Sequence, residues 1–432
     1  MNDSFDPRSY GAMADGHSKD SAAVQAAIDA AAAQGGTVRL AGGTFVCGTL
    51  YLRSNVALEI TNSATLLASP DIADYGTDTH HNRYRNEPEL DRCFLFAQDA
   101  ENVTICGSGV IDGNAAAFPN AGSIYRPMLL RVLRCRNVRV QNLRLLNAAA
   151  WTTAFLDSDF LWATDLHIEN HRNYNGDGLD FDGCRHVWVR GCYIDGTDDN
   201  LCLQSSGLPV QDVHISDCAF TSVCAGIRIG LKSIGEISGV VISNCTMRNI
   251  WREGIKLECT EGGSITDILV ENVAMHNVRR PIFAILNNRY RPDDLGSSVE
   301  LDHIPPIGTM ARLRFVGITA VDDEGMAHAQ RRFDNDIMGE PKFGGCRFDA
   351  NAAHPIEDVT IRDFWYTAIG GVRLADLPAA PYPEVPDRLQ APTAPGSENY
   401  YPNWSRTTHL DARYVRGLTL ENLHFITLHS DE

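Results

Sequence analysis

Apolar and polar residues alternate in short blocks along this chain, and the blocks return at a nearly constant interval. They begin near Val103 (NVTICGSGVIDG), Val138 (NVRVQNLRLLNAA), Trp162 (LWATDLHIEN), Val187 (HVWVRGCYIDG), Val213 (DVHISDCAFTS), Val240 (GVVISNCTMRNI) and Ile268 (DILVENVAMHNV). From Val187 onward the steps are 26, 27 and 28 residues, and the pattern resumes at Leu313, Val359 and Leu418 after longer gaps. Period-two alternation predicts strands, and the Asn, Gly and Asp residues at the block ends predict turns. A unit of this size buries its apolar face only by stacking on its neighbours. Helical repeats need helical apolar spacing and long Ala/Leu/Glu stretches, whereas these blocks are short and β-branched. The pattern therefore predicts an all-β parallel β-helix, with about three short strands per coil stacked at roughly 4.8 Å.

The first sixty residues differ. Apolar positions at Val24 and Ile28, with flanking alanines, predict a helix from about Ser21 to Ala33, capped by Asp20 or Ser21 and ended by Gly35-Gly36. A solenoid end exposes unpaired strand edges, so this helix is expected to cover the first coil. Long irregular segments are expected at Asn287–Thr309, Asp322–His354 and Ala375–Asp411, the last Pro-rich and carrying Tyr382, Tyr400, Tyr401 and Trp404. Loops on a rigid scaffold shape binding clefts, and these aromatics either stack on a ligand or pin the loop. No internal Pro/Gly/Ser linker divides the 432 residues, so one continuous domain, 1–432, is expected.

Composition narrows the function. The net charge of −18 argues against nucleic acid, and it disfavours a long polyanion unless a local basic patch overrides the field. No apolar run of about 18 residues is present, so no membrane span is expected. The start, MNDSFDPRSYGAM, lacks a basic and apolar leader pattern; a cytoplasmic protein is expected, or a secreted one if a leader has been removed. Of the twelve cysteines, Cys192, Cys218 and Cys245 fall at the same place in successive repeats and read as a buried thiol ladder. Their spacing is not that of a metal site, and no metal or organic cofactor is expected.

The candidate chemistry lies in NGDGLD (Asn175–Asp180) and GTDDN (Gly196–Asn200). Asp177 and Asp198 are 21 residues apart, close to one coil. Residues one coil apart stack, so Asp177, Asp198 and Asp199 are expected on one wall. Carboxylates gathered at one spot are apparatus for acid/base chemistry, which needs one protonated and one ionised group. Crowded carboxylates raise at least one pKa, which makes an acid and a base from identical side chains. Neighbouring strand residues face opposite ways, so Asp198 and Asp199 share a site only if the backbone bends, as Gly196 permits. Asp180 and Asp182 read as turn residues, and His171, His186 and His214 as structural or surface histidines.

These motifs resemble those of glycoside hydrolase family 28, the polygalacturonase and rhamnogalacturonan hydrolase family. NGDGLD looks like the family's NTDGxD, Thr197-Asp198-Asp199 looks like its xDD, and the cap segment resembles that of many pectin-active β-helices. The resemblance implies a right-handed, pectin-lyase-like β-helix, a pectin-derived oligo- or polysaccharide substrate and inversion. It implies Asp198 as general acid, Asp177 and Asp199 as water-positioning carboxylates, and Asn175, Arg228, Lys256 and Glu258 at the substrate. Two departures stand out. The family's Gly-His-Gly falls in VCAGIRIG with Ala225 at the histidine, and its Arg-x-Lys becomes Lys256-Leu257-Glu258. An acid there would repel a uronate, so the sugar is either neutral or held by other cations, with Arg228, Lys232, Arg252, Arg279, Arg280 and Arg289 as candidates. Loops closing one end of the cleft would make the enzyme exo-acting. The alternatives are a Ca²⁺-dependent uronate lyase or epimerase, and a silent glycan-binding β-helix.

Overall fold

A computed structural model of the protein describes residues 3–79, 90–119, 126–288, 305–323, 325, 344–371 and 409–431. The chain forms two compact units, Met1–Asp198 and Asp199–Glu432.

In the first unit the alternating blocks form strands that pair in parallel, each with a strand of the next coil. Val138 lies opposite Val103 on one side and Leu161 on the other, and Leu161 lies opposite Val187. All four side chains are buried in the core. The residues between them point outward and stack too. Trp162 and Trp188 lie face to face at 5.1 Å, with the Arg139 guanidinium 3.6 Å from the Trp162 ring. Turns are built by Asn55, Asn102 and Asn137, all left-handed (φ 62°, 56° and 56°). Asn tolerates that conformation better than other side-chain-bearing residues. The three side-chain amides link into a ladder, Asn137 to Asn102 at 2.6 Å and Asn102 to Asn55 at 2.7 Å.

The helix α1, Ser21–Ala32, buries Val24, Ile28 and three alanines against the strands Asp3–Phe5, Gly36–Leu40 and Leu50–Leu52. It covers the first coil as expected, but neither proposed cap acts as one. The Asp20 carboxylate instead accepts from the Met13 and Ala14 N–H groups, and Ser21 Oγ accepts from Gly48. Both side chains tie the helix to the loops around it.

In the second unit one column runs in register through Val213, Val240, Ile268, Leu313, Val359 and Leu418, buried as far as Val359 and half-exposed at Leu418 in the last strand. The register therefore survives the long insertions. Cys218 and Cys245 occupy neighbouring buried positions, since Ala219 pairs with Thr246. Cys192 is buried in the first unit, and all twelve cysteines are unbridged. The expectation of three short strands per coil needs correction here. Glu236–Cys259 and Ser264–Leu286 run unbroken for 24 and 23 residues, bending at a register shift between Ile250 and Glu253.

A short strand, Cys346–Asp349, lies inside the segment expected to be irregular, paired with Phe283–Ile285. Leu410–Ala412 likewise begins within the third segment. Most of the three long segments, with Arg289, Tyr382, Tyr400, Tyr401 and Trp404, lies outside the described residues. Among the described residues no helix is long and apolar enough to cross a membrane.

Candidate active site

Asn175, Asp177 and Asp198 lie in the first unit. NGDG follows a coil whose last strand, His167–Glu169, has ended, and it precedes the strand Leu179–Asp182. Asn175 is left-handed (φ 56°), which turns the chain. Gly176 then passes against Thr197: its N–H donates to Thr197 Oγ1 at 2.9 Å, and Thr197 Oγ1 donates to the Asn173 carbonyl at 2.6 Å. A Cβ at position 176 would collide with that hydroxyl. The Gly of the first motif and the Thr of the second thus fix each other's position. Asn175 Nδ2 reaches toward Asp198 Oδ2 at 3.5 Å, and its Oδ1 accepts from Arg126 Nη2 at 2.9 Å. The Asp177 carbonyl accepts twice from Thr152, from its N–H at 2.9 Å and its hydroxyl at 2.7 Å. Asp177 and Asp198 are 5% and 9% exposed.

Asp198 and Asp199 lie in the break between the strands Tyr193–Gly196 and Leu201–Ser205. The expected bend is there, although Gly196 does not adopt a left-handed conformation to make it.

Asp199, Arg228, Lys256 and Glu258 lie in the second unit. Asp199 is fully enclosed. Its Oδ2 accepts from Arg228 Nη1 at 2.6 Å, and its Oδ1 accepts from the Ala225 N–H at 3.2 Å. Burial pushes its pKa up, but Arg228, Lys256 and Arg252 and a hydrogen bond with Cys224 win, holding the carboxyl well below the usual range. Asp199 is an ionised carboxylate.

Strand register explains the cations. Arg228 lies opposite Lys256 on the neighbouring parallel strand, between core residues Ile227 and Ile229. Two like charges so close repel unless acids intervene. Arg228 Nε donates to Glu258 Oε2 at 2.8 Å, and Lys256 Nζ lies 3.6 Å from Glu258 Oε1 and 3.5 Å from Glu253 Oε2. Glu253 also takes Arg280 at 3.1 Å and Arg252 at 3.6 Å. Burial would raise the Glu253 pKa, but Arg252, Lys256 and Arg280 lower it to about 2. Gly230 sits opposite Glu258 with φ +97°, where a side chain would strike the Glu258 carbonyl.

The structure brings Asn175 to Asp198, and joins Asp199, Arg228, Glu258 and Lys256. Lys256 and Glu258 are fully buried within an ion network. Asp180 and Asp182 lie within a strand, not a turn. His171 pairs with Asp195 at 3.1 Å, and His186 bonds Asp159 at 2.6 Å while stacking on Phe160. Arg279 lies 4.9 Å from the Trp251 ring, and Lys232 is buried. Sequence reasoning missed Arg126, Thr152 and Glu253. Only Glu253 carried a signal, as an acid next to Arg252 and three residues from Lys256.

A family model, glycosyl hydrolases family 28, matches residues 49–300. A probable polygalacturonase from Vitis vinifera is 25% identical over 303 residues, covering 62% of this chain and 60% of that protein. An exo-poly-alpha-D-galacturonosidase from Dickeya chrysanthemi is 24% identical over 334 residues, covering 63% and 55%. The chain thus spans less than two thirds of the length of either relative. The solved exopolygalacturonase from Thermotoga maritima superposes with a TM-score of 0.67 at 20% identity, covering 85% of this chain and 87% of that one. That likeness carries the fold, a right-handed parallel β-helix.

Proposed function

This chain belongs to glycosyl hydrolases family 28, and we propose that it hydrolyses glycosidic bonds of pectin-type glycans, galacturonan or rhamnogalacturonan oligosaccharides, with inversion and from chain ends. The observation that carries the reading is the lock between the two aspartate motifs, Gly176 on Thr197 and Asn175 on Asp198. It gives the motifs one fixed geometry, which a two-carboxylate displacement requires. Asp198 delivers the proton to the leaving oxygen. Asp177 and Asp199 orient and deprotonate the water. Asp199 suits that part because Arg228 keeps it ionised, and an ionised group cannot serve as the acid.

The exo mode is supported by the Dickeya relative, named for it. The unbridged cysteines support a reducing compartment. A Ca²⁺-dependent lyase or epimerase is less well supported, because the family model that matches is one of hydrolases. The test is incubation with galacturonan and rhamnogalacturonan oligosaccharides while following new reducing ends and early products. Release of monosaccharide before shorter oligomers is expected. An unsaturated, ultraviolet-absorbing product, or no reducing ends from either substrate, would overturn the reading.

A further inference from the structure

We propose that the sugar seated against Arg228 is an uncharged one, and that Glu258 is the residue that sets this specificity. The inference deepens the hydrolase reading and rests on it for the presence of a sugar at this face.

Cations and acids alternate across neighbouring strands of the second unit, with Arg228 opposite Lys256 and Glu253 opposite Arg280. A uronate ring carries a carboxylate, and a carboxylate is held by a cation with donors to spare. Four cations here, Arg228, Lys256, Arg252 and Arg280, are committed to carboxylates of the protein itself. Arg228 spans Asp199 and Glu258 at 2.6 and 2.8 Å. Lys256 is fully buried between Glu253 and Glu258. Arg252 and Arg280 converge on Glu253 and are almost fully buried. Of the four, only Arg228 presents an appreciable part of its side chain to solvent, 13%. An arriving carboxylate would be a third anion on a guanidinium that already holds two. The net charge of −18 adds a repulsive field at longer range. A sugar hydroxyl carries no charge and meets neither penalty. Glu258 decides the outcome because it saturates both cations that stack in register, Arg228 and Lys256.

The experiment is equilibrium binding to the full chain by calorimetry. The probes are a galacturonan trisaccharide and the same trisaccharide with its carboxylates reduced to hydroxymethyl groups, each at low and moderate salt. The reduced form is expected to bind at least about tenfold more tightly, and the acidic form is expected to gain affinity as salt screens the repulsion. Glu258→Gln is expected to raise affinity for the acidic form about tenfold and to leave the reduced form within about twofold. Tighter binding of the acidic form, weakening with salt, would overturn the proposal, as would binding of neither probe. If Glu258→Gln does not fold, the wild-type comparison decides alone. Binding of the reduced form, with no new reducing ends from either galacturonan or rhamnogalacturonan oligosaccharides, upholds this inference and overturns the hydrolase reading instead.

Discussion

Arg228 Nη1 lies 2.6 Å from Asp199 Oδ2, and the same guanidinium holds Glu258 through Nε. One cation therefore neutralises two carboxylates whose side chains are both buried. Removing a single partner from such a cluster leaves buried charge uncompensated, at a cost of about 3–5 kcal/mol. Arg228→Gln is expected to lower stability by that amount in urea denaturation. Arg228→Lys keeps the charge but loses the fork that reaches both acids, so it is expected to fall between. Unchanged stability in both variants would contradict the clamp.

Asp322 gives the second unit a pH dependence of its own. Burial raises its pKa to about 7, and the Tyr366 hydroxyl donates to its Oδ2 at 3.1 Å. The folded form thus binds its proton more tightly than the unfolded chain does. The contribution is complete below about pH 4 and is lost as pH rises toward 7. Asp322→Asn is expected to flatten the stability profile between pH 4 and 7, and to stabilise the protein at pH 8 by on the order of 2–4 kcal/mol. Thermal melts across that range check it; an identical slope in the variant counts against it.

The lock between the motifs makes a prediction about coupling. Gly176→Ala forces a methyl against Thr197 Oγ1, and Thr197→Val removes the hydroxyl that serves Gly176 and Asn173. Each is expected to cost about 1–3 kcal/mol. Together they are expected to cost clearly less than the sum, because they break one contact. Additive losses in a double-mutant cycle would show that the two sites act separately.

The scaffold was legible because alternation and recurrence both come from the strand itself. Val213, Val240 and Ile268 announce the column, and Leu313, Val359 and Leu418 rejoin it across insertions of unequal length. The helix α1 was legible from its apolar stripe, but its cap was not: Asp20 serves Met13 and Ala14, a tertiary choice that propensity does not encode. The aspartate motifs stood out by spacing. The charges around Asp199 did not, because Arg228, Glu253 and Glu258 are partners by strand register and side-chain reach. A strand facing outward normally carries solvated charge, and here those positions are enclosed. The resemblance implied Lys256 and Glu258 at the substrate, and it carried no sign that both are buried among charges of the protein itself.

Asp198 is assigned the proton that the leaving group needs. Asp198→Asn keeps the shape and removes the acid, so activity is expected to fall about a hundred- to ten-thousandfold with circular dichroism unchanged. A leaving group that departs without protonation, such as a nitrophenolate, is expected to recover much of the loss. Equal losses on both substrates would argue that Asp198 positions and does not donate.

The account stands on a single displacement by water, with one aspartate giving a proton and an ionised one taking it. The direct measurement is the anomeric proton signal of the new reducing end, read by NMR in the first minutes of hydrolysis before mutarotation. The account predicts that the first product carries the anomeric configuration opposite to that of the bond cleaved. A first product that keeps the original configuration requires a covalent intermediate, and would contradict it.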